Sequence, residues 1–255
     1  MILKHLPQLS TNAATLVGLT AVLFWSTNVG LVRSVSTHFG AIGGAALIYT
    51  VATGFLFITI GLPKLAKIPK HYLFWGSLFF ITYELCFALS IGYAQNSRQA
   101  IEVGMINYLW PTFTLIFALC FNGVKASLKL LIPGCVLAFV GIILVVSGDQ
   151  GINLALVWAN IISNPISYIL AFAAAILWAA YCSVTVKTAK GQNAVTLFFG
   201  LAALVLWAKF LILGEPALNF TLDSTITLIL AAGALGLGYG AWNIGIISGN
   251  MTLLA

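Results

Sequence analysis

Long apolar stretches separated by short polar or glycine-rich connections set the pattern of this chain. Eight of them suit helices that cross a membrane: residues 13–32, 41–62, 72–94, 100–121, 130–146, 166–186, 194–213 and 226–247. About 20 apolar residues suffice for such a helix. Because the connections are short, successive helices are expected to run antiparallel and pack side by side. The longest connection, 148–165, has no basic residue. Its Ile152, Leu154, Val157, Trp158 and Ile161 fit a short helix lying at the membrane surface as well as they fit a plain loop. The first stretch is longer than the apolar part of a cleaved signal peptide and holds Trp25, Ser26 and Asn28, so it reads as a retained span.

Composition turns this pattern into a class. Hydrophobic residues make up 61% of the 255 and charged residues only 6%, against roughly 25% charged in soluble proteins. The fold expected is therefore all-α, a polytopic membrane helix bundle whose surroundings are the lipid bilayer. The net charge of +6 is read for orientation, and a nucleic-acid partner is not expected. With the N-terminus in the cytoplasm, Lys4, Lys64, Lys67, Lys70, Lys125, Lys129, Lys187 and Lys190 fall inside, and Arg33, Arg98 and Lys209 fall outside. That asymmetry favours this orientation.

Cys86, Cys120, Cys135 and Cys182 lie in apolar stretches without a C-x-x-C pair, and His5, His38 and His71 lie outside the spans. Neither a metal nor an organic cofactor is expected. With no G-x-S-x-G or H-E-x-x-H motif in the spans, an enzyme is not expected either.

The chemistry should lie where polar groups interrupt the spans. Residues 99–121, QAIEVGMINYLWPTFTLIFALCF, carry Glu102, Asn107, Tyr108 and Trp110 ahead of Pro111. Polar groups at membrane depth are costly and mark candidate sites, and a proline there frees a carbonyl or bends the helix. On a continuous helix Glu102, Ile106, Asn107 and Trp110 share one arc, and Tyr108 points away. Elsewhere Trp25 lies beside Asn28, Tyr83 lies with Phe87 and Ser90, Trp178 with Tyr181 and Cys182, and Tyr239 with Trp242 and Asn243. Rings beside hydrogen-bonding groups suit a flat ligand with a polar or ammonium head. Glu84 and Glu102, the only acids inside the spans, are candidates for binding an amine, taking up a proton or bonding between helices. Gly40-x-x-x-Gly44 and Gly236-x-x-x-Gly240 are read as close-packing sites.

A weak repeat is also present. AVLFWSTNVGLVRSVS around Trp25 is answered by AAILWAAYCSVTVKTA around Trp178. Two halves, 1–149 and 150–255, with five spans planned in each, would be inverted relative to one another, a recurring transporter plan.

With LFWSTNVGLVRSVS, YELCFALSIGYA, QAIEVGMINYLWP, LWAAYC and AWNIGIISGN in view, the chain resembles the YddG-type aromatic amino acid exporters of the drug/metabolite transporter (EamA-like) superfamily. The resemblance runs through nearly the whole sequence. It implies ten helices in two inverted halves, a bacterial inner-membrane location, and export of phenylalanine, tyrosine, tryptophan and related compounds by alternating access. It also implies a cavity lined by Tyr83, Trp110 and Trp178, then by Trp25, Asn107, Tyr181, Trp242 and Asn243. On this reading NMTLLA begins a ninth helix, and the chain is expected to be a shortened member. The alternative is a fragment or pairing subunit without transport of its own.

Overall fold

The computed structural model of the chain describes residues 9–121, 128–147 and 154–254. Among these residues every regular element is helical: α1 (Thr11–Trp25), α2 (Asn28–Phe39), α3 (Ala41–Thr59), α4 (Ser77–Gly92), α5 (Ser97–Asn107), α6 (Trp110–Phe121), α7 (Leu128–Ser147), α8 (Leu154–Ser163), α9 (Pro165–Thr188), α10 (Val195–Leu213), α11 (Leu222–Ser248) and α12 (Met251–Leu254). A π-helical turn, Tyr72–Gly76, leads directly into α4. Six helical segments are long and apolar enough to cross a membrane, and α1 with α2 makes a seventh. The fifth expected span is α7, whose Ile132–Leu144 section is a shorter apolar helix.

Two expected spans prove to be broken. The first is a pair of helices bent by 46° at Ser26 and Thr27. There the Ser26 hydroxyl donates to the Leu23 carbonyl at 2.8 Å and the Thr27 hydroxyl to the Phe24 carbonyl at 2.9 Å. Hydroxyls that take up carbonyls in this way compete with the helical ladder and bend it. The fourth span tightens at Tyr108 and Leu109, where Leu109 N–H donates to the Ile106 carbonyl at 3.1 Å. Pro111, lacking an N–H, cannot bond back to the Asn107 carbonyl. The single arc expected for Glu102, Asn107 and Trp110 is thereby corrected: Asn107 and Trp110 stay together across the turn, and Glu102 bonds elsewhere.

Chain ends of the helices carry ordinary caps. Ser10 accepts the Ala13 N–H ahead of α1, Asn96 accepts the Gln99 N–H ahead of α5, and Thr221 with Ser224 forms a capping box on α11. These satisfy backbone donors that the helix leaves open.

The bundle is held by close helix crossings. Helix α1 lies on α11, α3 on α10 and α11, and α4 on α9. A Cβ on Gly18 would stand 2.9 Å from the Gly245 Cα, so α1 and α11 approach backbone to backbone there. Gly236 similarly seats α11 on α3, against the Ala52 carbonyl. Small residues at crossings are how helices gain contact where no hydrophobic force separates lipid from protein. Helix α8 confirms a helix within the 148–165 connection, with Trp158 and Ile162 exposed; residues 148–153, including Ile152, lie outside the described residues.

Candidate functional site

Aromatic side chains from five elements meet at the centre of the bundle. Trp178, only 1% exposed, is the hub. Its ring centroid lies 4.8 Å from Tyr83, 5.1 Å from Tyr181, 5.3 Å from Tyr239 and 5.9 Å from Trp25. Trp110 and Trp242 complete the group, 5.1 Å apart and edge to face. Most of these pairs are T-shaped or tilted, the arrangements that place the positive edge of one ring on the negative face of another. The tryptophans of the two similar sequence stretches, Trp25 and Trp178, are thus packed against each other. Gly238 makes this possible: a Cβ there would stand 2.7 Å from the Trp25 Nε1.

Inside this cluster is a chamber of about 20 Å³. That is enough for about one water molecule, so the rings have closed on one another and leave no room for a substrate. Trp25, Tyr83, Asn107, Trp110 and Trp178 line it, as the sequence suggested, together with Asn28 and Tyr239. Asn28 and Tyr239 stand one helical turn from Trp25 and Trp242, a spacing visible in the sequence. The Oδ1 atoms of Asn28 and Asn107 are buried and accept no hydrogen bond. Two buried amide carbonyls without donors are costly in a ring-lined space unless a ligand or water meets them.

The remaining candidates stand behind the wall. Tyr181 donates to Asn243 Oδ1 at 2.6 Å, and Asn243 Nδ2 donates to the Tyr239 carbonyl at 3.1 Å. Trp242 backs both Trp25 and Trp110. These three residues fix the rings that line the chamber.

The two buried acids separate completely. Glu84, fully buried, accepts the Tyr49 hydroxyl, while its Oε1 makes no hydrogen bond. Beside it Tyr239 donates to the Tyr83 hydroxyl at 3.0 Å, so Glu84 lies one residue behind the chamber wall. Nothing in the sequence pairs Tyr49 with Glu84, 35 positions on. Glu102 is far from the rings in its bonding. Arg98 donates to it at 3.1 Å, Asn160 at 2.9 Å, and the Tyr168 hydroxyl also donates. Arg98, one turn earlier on the same helix face, gives Glu102 a basic partner. Nearby, Gln99 donates to Ser163 at 3.0 Å and accepts from Asn164 at 3.1 Å. Together these bonds form a clasp between the start of α5 and the α8–α9 corner.

A second and larger space, about 670 Å³, lies between α2 and α5 on the clasp side of the chamber. It is lined by Ser26 at the bend, by Gly30, Arg33 and Thr37 of α2, and by Asn96 and Ser97 ahead of and at the start of α5. Val29 and Tyr108 line both this vestibule and the chamber, and so form the partition between them. The partition is tight: a Cβ on Gly104 would stand 2.8 Å from Val29 Cγ2. Tyr108, expected to point away from the other polar groups, therefore faces the solvent side of the chamber wall. The arrangement as a whole is a closed ring-lined chamber, two helices broken beside it, and a polar entry on one side.

Known proteins match this chain throughout its length. The profile of the EamA-like transporter family matches residues 12–147. The aromatic amino acid exporter YddG of Escherichia coli is 49% identical over 242 residues, covering 95% of this chain and 82% of that protein. Its namesake from Salmonella typhimurium is 46% identical over 247 residues, covering 97% and 84%. A solved crystal structure of a protein 21% identical superposes with a TM-score of 0.73, covering 96% of this chain and 83% of that one, which shows the same fold.

Proposed function

The chain belongs to the EamA-like transporter family, and we propose that it exports aromatic amino acids and related amphiphilic compounds across the bacterial inner membrane. Phenylalanine, tyrosine and tryptophan are its substrates, and the N-terminus is cytoplasmic. The observation that carries this reading is the chamber itself. Its rings offer stacking faces to an aromatic side chain and cation–π attraction to an ammonium group, while Asn28 and Asn107 offer unpartnered acceptors to that same ammonium.

Alternating access fits the closed chamber. Rings that now fill the chamber by packing on one another must part before a substrate enters, and the breaks beside Ser26 and Tyr108 give α2 and α5 somewhere to bend. The packing also supports two inverted halves, 1–149 and 150–255. Exchanging the halves turns the α1–α11 contact into the α4–α9 contact and returns α3–α10 to itself, and all three are present. Chamber residues would thus come from both halves, as expected for a site at the repeat interface.

Efflux of labelled phenylalanine from proteoliposomes, with and without a pH gradient, tests the proposal. Saturable efflux, inhibited by tyrosine and tryptophan more than by alanine, is expected. Absence of efflux would end the exporter reading, and efflux indifferent to the gradient would exclude proton coupling.

A further inference from the structure

The vestibule contains a charge that the described residues leave unanswered. Arg33 is half-buried on its α2 wall and has no hydrogen bond or ion pair among the described residues. Three of the five acids are occupied elsewhere: Glu84 by Tyr49, Glu102 by Arg98, and Asp223 by His38 at 3.5 Å. Glu215 lies beside Gly40, and Asp149 is outside the described residues. Arg98, another cation at this end of the bundle, is turned to the clasp. A half-buried guanidinium between helices, with no acid beside it, is a ready receptor for an anion. Around it stand Ser26, Ser34, Thr37 and Ser97, hydroxyls able to donate to an anion, and no acid lines the space.

We infer that the vestibule is a second substrate station, in which Arg33 receives the carboxylate of an amino acid whose ring rests on Tyr108. The inference rests on the export of amino acids proposed above. At about 670 Å³ the space is within the range of small-molecule sites and far larger than the closed chamber. The two stations divide the substrate between them. The chamber offers rings and amide acceptors, which suit the side chain and ammonium; the vestibule offers a planar fork of N–H donors, which suits a carboxylate. A molecule leaving the chamber past Tyr108 and Val29 meets Arg33 one helical turn on from Val29. Selection for a free carboxylate is therefore made at Arg33 rather than among the rings.

The test compares phenylalanine with phenylalaninamide, which keeps ring and amine and lacks the carboxylate. In proteoliposomes Arg33→Gln should lower phenylalanine efflux about tenfold, the usual scale for one lost charge-assisted hydrogen bond, and phenylalaninamide efflux less than about twofold. Arg33→Lys, which keeps the charge and loses the fork, should fall between. An equal fall for both compounds would mean that Arg33 anchors the bilayer through lipid phosphate, and would overturn the inference; so would unchanged phenylalanine efflux. A second measurement leaves Arg33 in place. Ser34→Cys should react with a membrane-impermeant maleimide above the background of the parent chain, and phenylalanine, but not phenylalaninamide, should slow that reaction. Equal protection by both, or by neither, would also overturn the station. If phenylalanine protects Ser34→Cys while the parent chain shows no efflux, export fails and the station stands.

Discussion

The chamber and the vestibule share two walls and have opposite characters. Helices α2 and α5 line both, and Val29 and Tyr108 stand between them. On one side of that partition rings fill one another's space and about 20 Å³ is left. On the other side small polar residues and Arg33 leave about 670 Å³. The difference comes from what faces each stretch of helix. Trp110, past the turn of the fourth span, meets rings from α9 and α11. Ser97 and Ala100, before it, meet a face of α2 made of glycine and hydroxyl residues. Aromatic surface closes on itself because ring–ring contact is gained at every step, whereas short polar side chains cannot reach across the gap. A transporter needs both: a tight place that recognises and an open place that communicates with one side.

Removing the hub should have the largest effect on this contrast. Trp178→Ala takes away a fully buried ring and is expected to cost about 3–5 kcal/mol of stability and most phenylalanine export. Thermal unfolding in detergent and efflux would both show it, and a variant that melted and exported like the parent would deny the chamber its central role. Next comes the clasp that flanks the vestibule. Glu102→Ala strips Arg98, Asn160 and Tyr168 of their shared acceptor and should cost about 2–3 kcal/mol, read as a lowered melting temperature with ligand affinity little changed.

Gly104→Leu attacks the partition itself. Driving a side chain into Val29 should wedge α2 from α5, at about 1–3 kcal/mol, and let the two spaces join. Acrylamide quenching of tryptophan fluorescence should rise as a result; unchanged quenching would place the barrier elsewhere. Glu84→Gln, which keeps an acceptor for Tyr49, should cost only about 1 kcal/mol. If its efflux loses any dependence on a pH gradient that the parent shows, Glu84 is the proton-carrying group. The smallest effect is expected at the exposed His38–Asp223 pair, where Asp223→Asn should shift stability by less than about 0.5 kcal/mol.

Much of the site could be read before the helices were assembled. Trp25, Tyr83, Asn107, Trp110 and Trp178 stand out as ring or amide groups inside apolar runs, and all five line the chamber. Periodicity also set Tyr239 beside Trp242, although its place on the chamber wall emerged only in the structure. The Arg98–Glu102 pair was legible from its four-residue spacing, whereas the bonds of Glu102 to Asn160 and Tyr168 were not. The arc drawn from Glu102 to Trp110 assumed an unbroken helix, and hydrogen bonds at Tyr108 and Leu109 break it.

The sequence by itself determined that this chain is a bundle of apolar helices, where most of them lie within a few residues, and which residues are too polar for lipid to tolerate without a purpose. Those properties follow from local composition and from the cost of burying polar groups in a bilayer. Only the tertiary structure decided that Glu84 meets Tyr49, that Glu102 belongs to a clasp, that Tyr108 is a partition and that Arg33 faces an open vestibule. Each depends on which faces of distant helices meet. That choice is made by the small residues at the crossings, by the bend at Ser26 and by the tight turn at Tyr108, which no periodicity within a single helix can express.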